Sequence, residues 1–327
     1  MSNKNIKVGN ELAKCFDKAN GLVLYSGTLA LESALICAGI KKNDKVLVSG
    51  AVCNSVLNAI IRADAVPVIV IPKDKIKLEA DELLSALKQE KTIKCIVLVH
   101  QYGIAHDIAK IKKYCGTRIP IIEDSAQAYD IVVNGHKSGK YSDYVITSFG
   151  TTKPLSFGVG GAIFSNSPLA DKFDFCDNES RERKNLLLPY VYPECEKIDL
   201  PKLIKSGDVN VKRQREIASL LEKGLADIEC IRTIVDTPGN KSVWHRYPIF
   251  IKNIGDYAKM LALLDRAGVL HQLPHSKESY ELSMFKGKVI VRGDSKKHDN
   301  IILIRTRTNS PKNIKKFLEL LKKDGLR

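Results

Sequence analysis

The first half of the chain alternates short apolar runs with segments whose apolar residues recur every three or four positions. The apolar runs are rich in β-branched residues and predict strands, and the segments between them predict amphipathic helices. Such alternation is typical of a mostly parallel sheet with helices on both faces, which binds ligands at the carboxyl ends of its strands. The predicted strands are residues 45–49, 66–71, 95–100, 119–124, 144–149 and 161–165.

The pattern changes after about residue 166. Residues 170–208 are polar and irregular, and a long helix is predicted from about 209 to 226. A β-like run, a helix, the strand-like "IILIRTR" and a final helix follow. We therefore expect a large α/β domain at residues 1–208 and a smaller C-terminal α+β domain at residues 209–327.

The charge of the chain raises the question of a nucleic-acid partner, because the formal net charge is +15. The lysines, however, are interspersed with acidic residues in helical segments such as "KKFLELLKKDG", and no nucleic-acid motif accompanies them. We expect a solvated basic surface with a modest attraction for anionic, phosphate-bearing ligands, and no nucleic-acid partner.

The distribution of apolar residues and cysteines bears on the compartment. No apolar run reaches the roughly eighteen residues of a membrane span, and the first residues lack the apolar segment of a secretory signal. The eight cysteines form no C-x-x-C pair and have no histidines at metal-ligand spacing. We expect a cytoplasmic protein with free thiols, no metal site and no membrane partner.

Three features carry candidate chemistry, each at a predicted strand end or helix start. Gly27 and Thr28 follow Ser26 and open a helix, whose first N–H groups either bind a phosphate or are simply capped by the serine. Asp124 ends an apolar strand, as the partner of a cation or as a helix cap. Lys153 lies in "SFGTTKPLSFGVGG", where small residues and a proline would hold it close to a ligand; the alternative is an ordinary surface lysine.

Together these features match the requirements of pyridoxal 5'-phosphate. A lysine amine forms a Schiff base with an aldehyde, a carboxylate pairs with the pyridinium nitrogen, and a backbone cradle binds the phosphate. The chain presents the cradle, Asp124 and Lys153 in that order.

Longer segments around these residues resemble one family. "SGTLALESAL", "VHQYGIAHDI", "EDSAQAYD", "SFGTTK" and "WHRYPI" are similar to segments of the DegT/DnrJ/EryC1/StrS family of pyridoxal-phosphate-dependent sugar aminotransferases. The resemblance is dense from about residue 24 to residue 166 and thin beyond. It implies the aspartate-aminotransferase-like fold (fold type I) and a homodimer with its sites at the subunit interface.

The resemblance also implies a role for each matching residue. Lys153 would carry the cofactor as a Schiff base and, once freed, move the substrate proton. Asp124 would keep the pyridine nitrogen protonated, and Gln127 would lie near the phenolic oxygen of the ring. The phosphate would be bound by Gly27, Thr28 and Ser148.

Some positions depart from the family pattern. Many members place an aromatic residue over the cofactor ring near the position of Cys53. The resemblance therefore implies that Cys53 is a cofactor-binding residue and that ring stacking is weaker here or comes from elsewhere. Asn185 is a poor counterpart of the family's asparagine that reaches the neighbouring subunit's cofactor phosphate. His245, within "WHRYPI", is a predicted substrate-binding residue.

The leading functional hypothesis is an aminotransferase that moves an amino group from a donor such as glutamate to a keto-sugar, free or nucleotide-linked. A second hypothesis is an aminotransferase for a small keto acid. A third is a cofactor-binding regulatory protein without turnover, against which the intact Lys153 and Asp124 argue.

Two arginines near the C-terminus leave two interpretations open. In a strand, Arg305 and Arg307 would share one face with Leu303. Either both are solvated at a sheet edge, or one points into the crevice and binds a substrate carboxylate through two hydrogen bonds.

Overall fold

The largest feature of the computed structural model, which describes residues 3–169, 195–274, 278–293 and 300–324, is an eight-stranded sheet. All neighbouring strands are parallel except the second in spatial order, which is antiparallel to both its neighbours. The predicted mostly parallel sheet is thereby confirmed. In spatial order the strands are β1 (Asn20–Leu24), β9 (Gly161–Ser165), β8 (Tyr144–Ser148), β5 (Ile121–Asp124), β4 (Ile93–Val99), β2 (Lys45–Ser49), β3 (Val66–Val70) and β13 (Ile290–Arg292).

Helices cover both faces of this sheet, because alternate strand residues pack into two separate apolar clusters. On β2, Leu47 belongs to one cluster, and Val46 and Val48 belong to the other. Burial on both faces explains why these strands are continuous apolar runs. The helices of the first half are α1 (Asn3–Ala13), α2 (Gly27–Cys37), α3 (Asn54–Arg62), α4 (Ala80–Gln89) and α5 (Ile108–Cys115).

A second, antiparallel sheet of four strands lies in the C-terminal part of the chain. A third apolar cluster packs it against three helices. Its strands, in spatial order, are β10 (Ile231–Thr233), β11 (Tyr247–Ile251), β14 (Ile301–Ile304) and β12 (His271–Gln272), and the helices are α6 (Leu200–Leu225), α7 (Ile254–Ala267) and α8 (Pro311–Lys323). A small hairpin, β6 (Val132–Val133) with β7 (His136–Lys137), completes the strands.

Several predicted strands differ from the observed ones by one or two residues, and two predicted bounds that bear on the site are wrong. Helix α6 begins at Leu200 rather than near residue 209, because Asp199 caps it by accepting a hydrogen bond from the Lys202 N–H and a proline occupies its first turn. Strand β14 ends at Ile304, so Arg305 and Arg307 lie in the following turn, where the alternation of strand side chains does not apply.

The division into domains at residues 208 and 209 stays a prediction. Helix α6 crosses that position, and β13, from the C-terminal part, pairs with β3 in the large sheet. Among the described residues, no helix combines the length and the apolar character needed to cross a membrane.

Candidate active site

The start of α2, the ends of β5 and β8 and the loop after β8 surround one cavity of about 140 Å³, called here the Lys153 cavity. Sequence segments that lie far apart in the chain meet there because parallel strands present their carboxyl ends at one edge. All the predicted cofactor-binding residues line it: Gly27, Thr28, Cys53, Asp124, Gln127, Ser148 and Lys153.

At one end of the cavity, the start of helix α2 lies very close to strand β8. Ser26 caps α2 with its Oγ, which accepts a hydrogen bond from the Leu29 N–H. A Cβ on Gly27 would lie 2.8 Å from the Cβ of Ser148, so only glycine lets α2 approach β8 at this distance. The first amides of α2 have no acceptor further back in the helix and are available to an anion.

Asp124 ends β5 as a buried carboxylate that faces the cavity. Its Oδ1 accepts a hydrogen bond from the Ala126 N–H at 2.9 Å. Burial raises the pKa of Asp124 above its ordinary value, although the Ala126 hydrogen bond and the Lys153 charge act in the opposite direction. A cationic ligand group beside this carboxylate would stabilise its ionised form.

Lys153 is held by its main chain while its amine makes no ion pair with any of the described residues. The Lys153 N–H donates to the Gly150 carbonyl, and the Lys153 carbonyl accepts from Nη1 of Arg307, both at 2.9 Å. The same Arg307 nitrogen also donates to the Thr151 carbonyl. Hydrogen bonds within the loop and from Arg307 therefore hold the main chain of Lys153, while its amine is available to a ligand in the cavity.

A buried contact between a histidine and a glutamate behind Asp124 was missed by the sequence reasoning. His100, which also lines the cavity, approaches Glu123 at 2.8 Å from Nε2 to Oε1. Burial alone would raise the pKa of Glu123, but hydrogen bonds from His100, Gly139 and Ser142 outweigh it and hold the pKa below its ordinary value. The position of His100 at the end of a predicted strand was the available signal.

A larger cavity of about 530 Å³ adjoins the Lys153 cavity, since Cys53 and Ser55 line both. The exposed Sγ of Cys53 lies 2.7 Å from Oγ of Ser55. Gln127 donates from Nε2 to Oε1 of Gln101, which lines the larger cavity. The polar and charged residues around the larger cavity are Asn54, Ser55, Lys75, Gln101, Tyr102, Gln272, Glu278 and Ser279.

The predicted substrate-binding residues lie on the C-terminal side of Lys153. Arg305 is exposed, and Arg307 is half-buried and donates to the Lys153 loop. His245 is buried, lies outside the linings of the two cavities, and forms hydrogen bonds with Gln214 and Arg246. Direct contact of these residues with a substrate stays a prediction.

Arg246, which the sequence reasoning passed over, lies beside His245. Its Nη1 donates to the His245 carbonyl at 2.8 Å and lies 3.3 Å from Nε2 of the ring. Burial and the neighbouring charges of Arg246, Lys153 and Arg307 hold the pKa of His245 well below its ordinary value, so the ring is neutral. Nε2 of Gln214 lies 3.3 Å from Nδ1 of the ring, and Oε1 of Gln214 has no hydrogen-bond partner among the described residues. If the amide nitrogen and oxygen exchange places, Nδ1–H of a neutral ring donates to Oε1 of Gln214 while Nε2 accepts from Arg246.

This chain belongs to the DegT/DnrJ/EryC1/StrS aminotransferase family, whose sequence profile it matches over residues 2–186 and 199–303. The fold agrees: a crystal structure of a DegT DnrJ EryC1 StrS aminotransferase from Brucella abortus superposes with a TM-score of 0.81 at 19% identity, covering 100% of this chain and 91% of that one. The predicted family, fold class and class of enzyme are confirmed at the level of the family.

Two curated relatives carry more specific names. A GDP-perosamine synthase from Vibrio cholerae is 28% identical over 228 residues, which are 67% of this chain and 61% of that protein. A UDP-4-amino-4,6-dideoxy-N-acetyl-beta-L-altrosamine transaminase from Campylobacter jejuni is 30% identical over 285 residues, 81% of this chain and 73% of that protein. The chain thus spans less than two thirds of the first relative. Asn185 lies outside the described residues, and its role stays a prediction.

Proposed function

We propose that the protein is a pyridoxal-phosphate-dependent aminotransferase that transfers an amino group from a donor such as glutamate to a keto-sugar. The observation that carries the proposal is the convergence of Lys153, Asp124 and the start of α2 on one cavity. The family assignment and the aminosugar names of the relatives support it.

The residues of the Lys153 cavity fit this cofactor. A buried carboxylate at one end suits the protonated pyridine nitrogen, and the close approach of Gly27 to Ser148 at the helix start suits the phosphate. Lys153 supplies the amine that binds the aldehyde. When bound, the cofactor supplies a cationic ring that accepts the electrons released as the substrate loses its proton.

Lys153 and Asp124 then have distinct tasks. The Lys153 amine carries the cofactor at rest and, once released, takes a proton from the substrate carbon and returns it, while its anchored main chain keeps the movement short. Asp124 keeps the ring nitrogen protonated. The hydrogen bond from the Ala126 N–H and the electrostatic effect of His100 both lower the pKa of Asp124 and so favour its ionised form, against the effect of burial.

The size of the larger cavity favours a sugar over a small keto acid as the acceptor. About 530 Å³ exceeds what a keto acid of a few carbon atoms fills and falls in the range of pockets for larger ligands. Its neutral amide and hydroxyl side chains, Asn54, Ser55, Gln101 and Gln272, suit hydrogen bonds with sugar hydroxyls. A nucleotide-linked sugar would fit the same chemistry.

A homodimer and a cytoplasmic location complete the proposal. Tyr25 and Val159 are exposed apolar residues that directly precede the two residues of the parallel Ser26–Gly160 bridge, next to the helix start, where a second copy would cover them. The cysteines in the described part of the chain are free, which suits a reducing compartment.

The decisive experiment is spectroscopic. The purified protein with added cofactor should turn yellow and lose that colour when glutamate is added in the absence of an acceptor. Single-turnover addition of keto-sugar nucleotides or of small keto acids should then restore the colour, and faster restoration by the sugars is expected. A protein that binds the cofactor but does not respond to any amino donor would contradict the proposal.

A further inference from the structure

A strained turn after β4 brings two consecutive residues into the wall of the larger cavity. The turn is the 3-10 segment Gln101–Gly103, in which Tyr102 has φ 58° and ψ 14° and Gly103 has φ 74°. Left-handed backbone is unfavourable for an aromatic residue, and residues held in it cluster at functional sites. In an extended strand the side chains of Gln101 and Tyr102 would point to opposite sides, whereas here both residues line the larger cavity.

Contacts with two other segments hold this turn. The Arg246 N–H donates to the Tyr102 carbonyl at 3.2 Å, and the Val243 N–H donates to the Gly103 carbonyl at 2.8 Å. A Cβ on Gly103 would lie 2.8 Å from the carbonyl oxygen of Gln127, so only glycine permits this close approach. The turn is therefore fixed between the segment before β11 and the loop after β5.

The side chain of Gln101 is one hydrogen bond away from the Lys153 cavity. Gln101 is buried, and its Oε1 accepts a hydrogen bond from Nε2 of Gln127 at 3.0 Å. Gln127 lines the Lys153 cavity, and Gln101 lines the larger one. Because Gln127 engages the amide oxygen of Gln101, the amide NH2 of Gln101 is the end left for a ligand, and an NH2 group only donates.

The phenol of Tyr102 agrees with this orientation of the amide. Burial raises the pKa of Tyr102 to about 12, and a hydrogen-bonding interaction with Gln101 acts in the opposite direction. Such an interaction lowers the pKa of a phenol when the phenol oxygen accepts, so the donor is the NH2 of Gln101. The NH2 carries two protons, and one of them remains for a ligand in the larger cavity.

We propose that Gln101 is a positioning and specificity-determining residue that joins the two cavities. Its oxygen fixes the amide of Gln127 in the Lys153 cavity, and its NH2 donates to an oxygen of the amino acceptor. Because one hydrogen bond separates Gln101 from the Lys153 cavity, that oxygen belongs to the carbon next to the one that reacts. The acceptor is therefore a ketone with a hydroxyl group on the adjacent carbon. This inference rests on the proposed aminotransferase function and names the group by which the acceptor is recognised.

The first test needs no turnover. Gln101→Met keeps the length of the side chain but releases Gln127, which is predicted to lie near the phenolic oxygen of the cofactor. The absorbance maximum of the cofactor-loaded protein should therefore shift in the absence of any substrate. Gln127→Met should also shift it, and adding Gln101→Met to Gln127→Met should change nothing further, because Gln101 acts through Gln127. The exposed Gln89→Met, in α4, is the matched control and should keep the wild-type maximum.

The second test compares two ketones that differ by one hydroxyl group, 2-hydroxycyclohexanone and cyclohexanone. Each is added to the protein after glutamate has removed the colour, and the ratio of the two single-turnover rates of colour restoration gives the hydroxyl preference. Gln101→Met should lower this ratio roughly 2- to 13-fold, the change expected for loss of a neutral hydrogen bond, and Gln89→Met should keep it. A ratio cancels differences in the amount of folded, loaded protein.

An absorbance maximum or a hydroxyl preference that Gln101→Met leaves at the wild-type value would overturn the inference. The same holds if 2-hydroxycyclohexanone restores the colour of the wild type no faster than cyclohexanone does. Failure of the proposed function looks different, because the loaded wild type would then keep its colour with every amino donor.

Discussion

The Lys153 cavity and a group of three arginines, Arg246, Arg305 and Arg307, are assembled in different ways. This group is called here the arginine corner. Most residues of the Lys153 cavity lie at the end of a strand of the large sheet, in the loop that follows it or in the first turns of a helix, and they come from short continuous segments of the sequence. The arginine corner joins residue 246, before β11, to residues 305 and 307, after β14. Short motifs therefore identify the Lys153 cavity, whereas only the packing of the small sheet brings the three arginines together.

The two regions also differ in how charge is balanced. In and behind the Lys153 cavity, the buried carboxylate of Glu123 has His100, and Asp124 has an amide partner and a lysine nearby. In the arginine corner, the described residues supply cations and a neutral histidine. The first region suits a ligand with both a cationic and an anionic end, whereas the arginines of the second have no carboxylate partner among the described residues.

The largest expected effect lies in the first region. Lys153→Ala removes the amine that binds the cofactor aldehyde, so the yellow colour should disappear. The rate of the glutamate half-reaction should fall by roughly three orders of magnitude or more. Absorbance and single-turnover assays measure both. Lys202→Ala, an exposed lysine of α6, is the control and should behave as wild type. Amino transfer at the wild-type rate by the Lys153 variant would show that the active site lies outside the Lys153 cavity.

A smaller loss is expected from Asp124→Asn. The amide cannot hold the ring nitrogen protonated, and loss of a charged hydrogen bond worth about 1.5–3 kcal/mol should slow the half-reaction roughly 10- to 100-fold. Cofactor should still bind, because Lys153 and the helix start remain. Stopped-flow absorbance with glutamate measures the rate. Near-normal rates would show that another residue serves the ring nitrogen.

The phosphate end is tested by Gly27→Ala. The new Cβ would lie 2.8 Å from Cβ of Ser148 and force α2 away from β8. Overpacking of this kind costs about 1–3 kcal/mol, so the affinity for pyridoxal phosphate should fall roughly 5- to 150-fold, while the affinity for pyridoxal, which has no phosphate, should fall much less. Gly255→Ala, where the nearest atom is 3.7 Å away, is the control. Equal losses for both ligands would place the phosphate elsewhere.

The smallest effect concerns the sheet behind the Lys153 cavity. Burial, reinforced by nearby His100, lowers the pKa of His106 from 6.5 to about 3. Below pH 6.5 the unfolded chain therefore binds a proton that the folded chain does not, and stability should fall as the pH drops from 6.5 towards 3. At one pH unit below 6.5, the free energy of unfolding should be lower by about 1.4 kcal/mol.

Urea unfolding at pH 7.5 and pH 5.5 measures that cost. His106→Gln should unfold with a smaller difference between the two pH values, whereas the exposed His136→Gln should keep the wild-type difference. If His106→Gln kept the wild-type pH dependence of stability, that dependence would come from other groups, such as the neutral His245.

The strands that the sequence predicted well are those buried on both faces. Residues 45–49 and 161–165 match β2 and β9 in both bounds, because burial on both sides makes each strand a continuous apolar run. Strand β13 was missed because it has only three residues, at an exposed sheet edge, and its apolar run is too short to be told from a loop. Strand β1, at the opposite edge, was missed as well; it follows α1 after a short 3-10 turn, without the helix-length spacing on which the other predictions relied.

The sequence by itself determined the alternation of strands and helices, the helix start at Gly27 and the placement of Asp124 and Lys153 at strand ends, because each depends on residues close together in the chain. Only the tertiary structure decided that Arg307 donates hydrogen bonds to the Lys153 loop, that His245 is buried, and that Arg246 contacts the His245 ring. Those facts depend on how the turn after β14 packs against residues 244 and 245, some sixty positions away in the chain. Sequence periodicity carries no information about a contact of that kind.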